Sequence, residues 1–382
     1  MTQSKAPTNG GVAIVLSGAG ARGAYEAGAL SVLLPLLKGD DRPRMVLGAS
    51  AGALNVAILA SHLHQGVDAA AAALLQGWRQ ITPARVFATP RLSVLRLAER
   101  RLRRPAGVAP GLLDTAPLRA TVRQLLPDEH FGSAVTNGIL DAVAVAASSC
   151  ARGGAVVFLE TTRPVPMSGP DVAYAPTRLG PEHLMASSAF PLAFPAQWVG
   201  GAAEGWYIDG GIHLNTPLKP AIDLGADRIL VIGATPWDIG QAPERSRPPN
   251  LMDGSGQILH ALLVDSLRAD LAALARTNLQ LGAGAATPAA GWRVVRYCDL
   301  HPSDDGLSDV AARSWPSGLL PFVRSLGGYG AVGPLTVQHQ RPGQFLSYLC
   351  FTPEFVSEAI TSGIADAERL VKGSAGITWA TS

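Results

Sequence analysis

Three short segments carry residue types that could act together as chemistry. Gly48-Ala49-Ser50-Ala51-Gly52 is a GxSxG pattern closing the apolar run "RMVLGAS" (44–50) and opening the apolar run "AGALNVAILASHL" (51–63). A strand followed at once by a helix makes that junction a sharp turn. The serine hydroxyl is lifted to the helix N-terminus, where the dipole favours negative charge. The same string also fits a tight βα turn that needs small residues only for packing. Asp209, in "WYIDGGIHLNTPL", ends another apolar run, and Gly210 and Gly211 let the chain turn immediately after it. In a parallel sheet its carboxylate emerges at the edge where Ser50 emerges; alone, Asp-Gly-Gly is an ordinary turn. The third segment, Gly18-Ala19-Gly20-Ala21-Arg22-Gly23, is a glycine loop between the strand-like "VAIVL" (12–16) and a helix-like run over 24–37.

Such a loop can hold a dinucleotide's phosphates or another negative charge, since both uses rest on backbone N–H groups beside a helix N-terminus. The pattern is weak in a chain with 42 glycines, and Gly328-Tyr-Gly330-Ala-Val-Gly333 repeats it with Pro334 straight after. A dinucleotide site also wants an acidic residue ending the second strand, about 20 residues on. Asp40 and Asp41 precede that strand, which ends in Gly48-Ala49-Ser50 instead. A serine needs something to take its proton. None of the eight histidines stands in a recognisable catalytic setting; His62 and His64 end the helix that Ser50 begins. HExxH is absent, so zinc hydrolysis has no support. Asp209 is the better partner.

Strand, glycine loop, helix, strand, turn, helix is the rhythm of a parallel sheet wrapped by crossover helices. "LDAVAVAAS" and "AVVFLETT" read as a strand pair joined by a hairpin, and "WYID" (206–209) and "RILVIG" (228–233) as further strands. After the Pro- and Gly-rich stretch 238–256, residues 257–281 form a helix with Leu263, Leu267, Leu271 and Leu274 on one stripe. "WRVVRYCDL" is a strand candidate, and "FVSEAITSGIADAERLVK" a closing amphipathic helix. With 382 residues, 47% hydrophobic and 16% charged, the chain can bury a large core. A net charge of +2 does not signal nucleic-acid binding. Cys150, Cys298 and Cys350 form no CxxC pair and fit a reducing compartment or buried thiols better than a disulfide framework or a zinc site. No apolar run is long enough to span a bilayer and none at the start reads as a signal peptide, so the expectation is a cytoplasmic protein. Residues 91–104 hold six arginines among leucines. They fit either a solvated helix face or a peripheral contact with anionic lipid.

Taken in order, these motifs make the chain resemble the patatin-like acyl hydrolases, whose pattern is a G-G-G-x-[KR]-G loop, then GxSxG, then D-G-[GA]. Ala19 stands where the family usually has a second glycine. "LLDTAPLRATV" (112–122), "MASSAFPLAFP" (185–195) and "FLSYLCFTPEF" (345–355) extend the likeness over most of the chain. The resemblance implies a three-layer α/β/α fold with a mostly parallel central sheet, plus a C-terminal α-rich extension. The domain expectation is a tail over 1–10, a catalytic core over 11–237 with a helical insertion at about 78–125, and an extension over 238–382 packed on the core. It also implies a Ser50–Asp209 dyad without histidine, cofactor or metal, acting on a lipid or fatty-acyl ester. Gly18, Ala19, Gly20, Arg22 and Gly23 then form the oxyanion loop, chiefly through the N–H groups of Ala19 and Gly20. Gly48 and Gly52 shape the nucleophile turn, and Gly210 and Gly211 the turn after the acid. Arg22 either holds the loop through hydrogen bonds or meets a lipid phosphate. Phe190, Pro191, Phe194 and Pro195 suit an acyl groove and equally suit plain core. Two other readings stay open: a catalytically inactive binding or scaffolding descendant of the fold, and a dinucleotide-binding oxidoreductase.

Overall fold

The run VAIVL forms strand β1 (Val12–Leu16), every residue of which is buried. A continuous apolar strand of this kind belongs at the centre of a sheet covered on both faces. The structure is a computed structural model describing residues 10–88, 113–126, 131–191, 193–237, 260–283, 292–314, 346–374 and 376–381, the side chains of 202 and 262 excepted. Its further strands are β2 (Pro43–Ala49), β3 (Ala142–Ser149), β4 (Gly154–Thr161), β5 (Val172–Pro176), β6 (Gln197–Val199), β7 (Gly205–Asp209), β8 (Arg228–Ile232) and β9 (Arg296–Leu300). From edge to edge the sheet runs β5-β4-β3-β2-β1-β8-β9. β3, β2, β1, β8 and β9 are mutually parallel, whereas β4 runs antiparallel to β3 as the hairpin pattern predicts.

Helices cover both faces. On one lie α1 (Gly23–Leu33), α2 (Ala51–His62) and α3 (Val67–Gln80), followed along the chain by α4 (Ala116–Leu125) and α5 (Pro181–Ser187). On the other lie α6 (Leu218–Asp223) and α7 (Ser266–Gly282). The two-residue period of a strand divides β1 between them. Ile14 and Leu16 pack with Leu30 and Val56, and Ala13 and Val15 with Leu267, Leu271 and Leu274. The protein is thus mixed α/β with a mostly parallel central sheet. α1 stops four residues short of the helix expected over 24–37 and continues as a 3-10 turn, Leu34–Leu36. Pro35 lacks the N–H an α-helix needs and disfavours helical geometry in the residue before it.

The described residues after 237 join the sheet and the helices that cover it. β9 extends the sheet beside β8. α8 (Gly306–Ser314) follows it, and α9 (Pro353–Val371), started by Thr352 accepting from the Phe355 N–H, packs against α1. Phe355, Val356 and Ile360 join the same core cluster as β1 and α2. The arginine-rich stretch 91–104 and the second glycine motif, Gly328 to Gly333, lie outside the described residues. Among the described residues, no helix is long and apolar enough to cross a membrane.

Because Phe355 is fully buried in that shared cluster, Phe355→Ala is expected to cost about 3–5 kcal/mol. Urea unfolding followed by tryptophan fluorescence and far-UV circular dichroism should show one transition shifted as a whole. A separate low-urea transition, with the main midpoint unmoved, would mean that the C-terminal segment folds as its own unit.

Candidate active site

β2 and β7 approach each other head-on along one edge of β3. β2 occupies that edge up to Ala49, which pairs with Ala146, and then turns into α2. β7 takes the vacated edge in the opposite direction, with Asp209 paired to Ala147. Asp209 therefore does not arrive on a parallel strand, as the sequence suggested. It arrives on an antiparallel one that enters from beyond the sheet and ends where β2 ends. The outcome is a direct hydrogen bond: Ser50 Oγ donates to Asp209 Oδ2 at 2.7 Å.

Ser50 has φ 51° and ψ −121°, and it is the one non-glycine residue with positive φ among those described. Such a conformation costs of order 1–3 kcal/mol and persists only where its surroundings enforce it. Here the Ser50 N–H donates to Ser187 Oγ at 2.8 Å, and that hydroxyl donates to the Ala146 carbonyl at 2.6 Å. A Cβ at Gly52 would stand 2.6 Å from the carbonyl oxygens of both Leu16 and Ser17. The turn can therefore lie against β1 only if that side chain is absent.

Asp209 is buried, and its Oδ1 accepts the Gly211 N–H at 2.7 Å. Loss of hydration pushes its pKa up to about 6, with the bonds from Ser50 and Gly211 pulling partly the other way. A carboxylate of this kind is still mostly ionised at neutral pH and is more basic than an exposed one.

The glycine loop passes beside this pair. Several of its N–H groups are already engaged: Gly18 donates to the Asn215 carbonyl, Ala21 to that of Tyr348, Arg22 to that of Ala19, and Gly23 to those of Gly20 and Ala21. Ala19 and Gly20 belong to the wall of the cavity that Ser50 and Asp209 line. Gly20 has φ +54°, and a Cβ there would stand 2.1 Å from the Tyr348 carbonyl oxygen. In a dinucleotide loop the second glycine leaves room for the pyrophosphate. At Gly20 a carbonyl oxygen, itself an acceptor, takes up that approach. Arg22 is fully buried and turned away from the cavity.

Beneath the loop, Glu26 on α1 accepts the Ser17 N–H and hydroxyl at 2.9 and 3.1 Å, and Asn55 Nδ2 at 2.9 Å. Asn55 Oδ1 in turn accepts from Trp78 Nε1. Burial raises the Glu26 pKa to about 8 despite these bonds. None of Glu26, Asn55, Ser187, Asn215 and Tyr348 is a predicted site residue. A lone carboxylate within the otherwise apolar "GAYEAGAL" is the signal that Glu26 serves a buried network.

Apart from Ser188 and Tyr348, the rest of the cavity wall is apolar, including Leu54, Trp78, Ile81, Val86, Phe194 and Phe351. Phe190 also lines it, whereas Pro191 and Pro195 do not. No histidine lines it among the described residues.

A family model described as patatin-like phospholipase matches residues 14–222, from β1 through the turn after Asp209 into α6. The chain belongs to the patatin-like phospholipase family. No curated protein matches it. Among solved structures it is similar to VipD from Legionella pneumophila, at 12% identity over 95% of this chain and 66% of that one, with a TM-score of 0.34. It is also similar to the human GIVD cytosolic phospholipase A2 solved with methyl gamma-linolenyl fluorophosphonate and terbium chloride. The identity there is 14%, over 97% of this chain and 61% of that one, with a TM-score of 0.37. The chain thus spans less than two thirds of the length of either structure. The family match ends at residue 222, before β8, β9 and α9.

Because its folded pKa lies above the ordinary 3.8, Asp209 lowers stability as pH rises from about 4 to about 6 and adds no further change above. An amide mimics the protonated acid, so Asp209→Asn should match wild type near pH 4 and exceed it at pH 7, by at most ~3 kcal/mol. Urea midpoints at the two pH values check this; an equal difference at both would contradict the raised pKa.

Proposed function

We propose that this patatin-like protein is a serine hydrolase that cleaves carboxylic esters of lipids through an acyl-enzyme, with Ser50 as nucleophile and Asp209 as base. The observation that carries the proposal is the 2.7 Å bond from Ser50 Oγ to a buried aspartate, set in the wall of an apolar cavity. Asp209 Oδ2 takes the Ser50 proton as Oγ attacks the ester carbonyl. It then delivers that proton to the departing alcohol. Water attacks the acyl-Ser50 ester, with Asp209 handling the proton again, and the fatty acid leaves.

The carbonyl oxygen becomes an oxyanion in each half-reaction. Ala19 and Gly20 are its donors, because the neighbouring N–H groups of Gly18, Ala21, Arg22 and Gly23 are bonded elsewhere. One such donor is worth roughly 3 kcal/mol of transition-state stabilisation. Of the two roles open to Arg22, burial supports the structural one: its side chain is fully enclosed and reaches no lipid phosphate. The apolar wall supports an acyl chain as the group recognised, since such a surface gains by removing hydrocarbon from water.

The test is hydrolysis of a panel of p-nitrophenyl acyl esters, lysophospholipids and phospholipids. Ser50→Ala and Asp209→Asn should each lower kcat/KM by roughly 10⁴-fold or more. Wild-type kcat/KM should rise with pH along a limb centred near 6, where Asp209 of the substrate-free enzyme loses its proton. Turnover near wild type in either variant would sink the dyad.

A further inference from the structure

We propose that the segment Leu346–Phe351, outside the residues matched by the family model, is a working part of the active site. It holds the glycine loop in position to present its donors, and Arg22 is the clamp between them. This inference rests on the acyl-hydrolase reading of Ser50 and deepens it.

Arg22 leaves the loop in the direction opposite to the cavity, and its side-chain bonds to described residues all go to the C-terminal part of the chain. Its Nε donates to Ser347 Oγ at 2.7 Å. Its Nη2 donates to Asp305 Oδ1 and to Ser308 Oγ, both at 2.8 Å. Its guanidinium carbon stands 5.3 Å from the centre of the Tyr348 ring. A guanidinium with no exposure needs several directed bonds and a countercharge to offset lost hydration. Here they come from residues more than 280 positions further along the chain.

The backbones meet as well. The Ala21 N–H donates to the Tyr348 carbonyl at 2.9 Å, and Gly20 presses against the same oxygen. Tyr348 is anchored in turn by its hydroxyl, 3.1 Å from Thr235 Oγ1 just past β8. The loop residues Ala19 and Gly20 are therefore flanked on one side by the Asn215 carbonyl bond to Gly18 and on the other by the Tyr348 bond to Ala21. Oxyanion donors work by being held in place before charge develops, and glycine-rich backbone does not hold itself. The same segment also supplies Tyr348, Leu349 and Phe351 to the cavity wall. Arg22 and Ser347 are positioning residues: they touch the loop and the segment, not the reacting atoms.

Ser347→Ala removes one clamp bond with little change of volume, and Arg22→Lys keeps the charge but loses the forked geometry. Leu271→Ala, on the far face of the sheet, serves as a control that lowers stability alone. Three quantities are read: the melting temperature, steady-state kinetics on a soluble acyl ester, and amide hydrogen exchange of residues 19–23. Both clamp variants should lose about 10- to 100-fold in kcat with KM within about threefold, the split expected for a transition-state donor. Their Ala21 amide should exchange at least about tenfold faster while β1 amides stay protected. The idea is overturned if kcat in the clamp variants is no lower than in Leu271→Ala, or if Ala21 exchange does not change. Should the wild type hydrolyse no ester at all, the acyl-hydrolase reading fails. The exchange measurement would then uphold or overturn the clamp by the same criterion.

Discussion

The meeting of two strand ends on one edge of β3 is the constraint from which the site follows. β2 and β7 point at each other, and their last residues pair with the adjacent positions Ala146 and Ala147. No room is left for solvent between the Ser50 hydroxyl and the Asp209 carboxylate. The bond between them is short, and the acid is desolvated. Basicity comes from that same desolvation: a carboxylate dissolved in bulk water would be a weaker base, and an unpaired one this deeply buried would tend to stay protonated. Burial, pairing and basicity are one arrangement seen three ways.

Holding this arrangement costs free energy locally. Ser50 sits in a backbone region that disfavours side chains, and Asp209 carries a raised pKa. Glu26, also raised, lies beneath the glycine loop, where its bonds join β1, α1 and α2. These features persist because the surrounding core is large and continuous. One apolar cluster runs from β1 and α2 to α3 and α9, so a distortion at the turn would have to move helices from both ends of the chain. The same continuity draws β9 and α9 into the core and brings Leu346–Phe351 against the loop.

The glycine loop shows why similar strings can serve dissimilar ligands. Backbone N–H groups beside a helix N-terminus attract any negative charge. Which charge can reach them depends on what fills the space around each glycine. At Gly20 that is the carbonyl of Tyr348, more than three hundred residues away in sequence. That carbonyl adds to the missing acidic residue at the end of the second strand as an argument against a pyrophosphate there.

Those parts of the protein that are governed by neighbours along the chain are legible in the order of its residues. Apolar runs of strand length, the tight turn at Gly48 to Gly52, and the Leu267, Leu271 and Leu274 stripe depend on local propensity and periodicity, and each appears where the pattern puts it; Leu263, expected on that stripe, lies instead in a π-helical turn (Ala261–Asp265) and packs with Val264 and Tyr348. Pro35 cut one helix short for an equally local reason. Which ends meet was settled only when the chain folded. The direction of β7, the capture of Gly18 by Asn215, the support from Ser187 and the reach of Arg22 into the C-terminal segment all join residues far apart in the chain. No periodicity records such pairings. They are favoured because a buried polar group without a partner costs free energy once the sheet has closed, and that cost can be evaluated only in three dimensions.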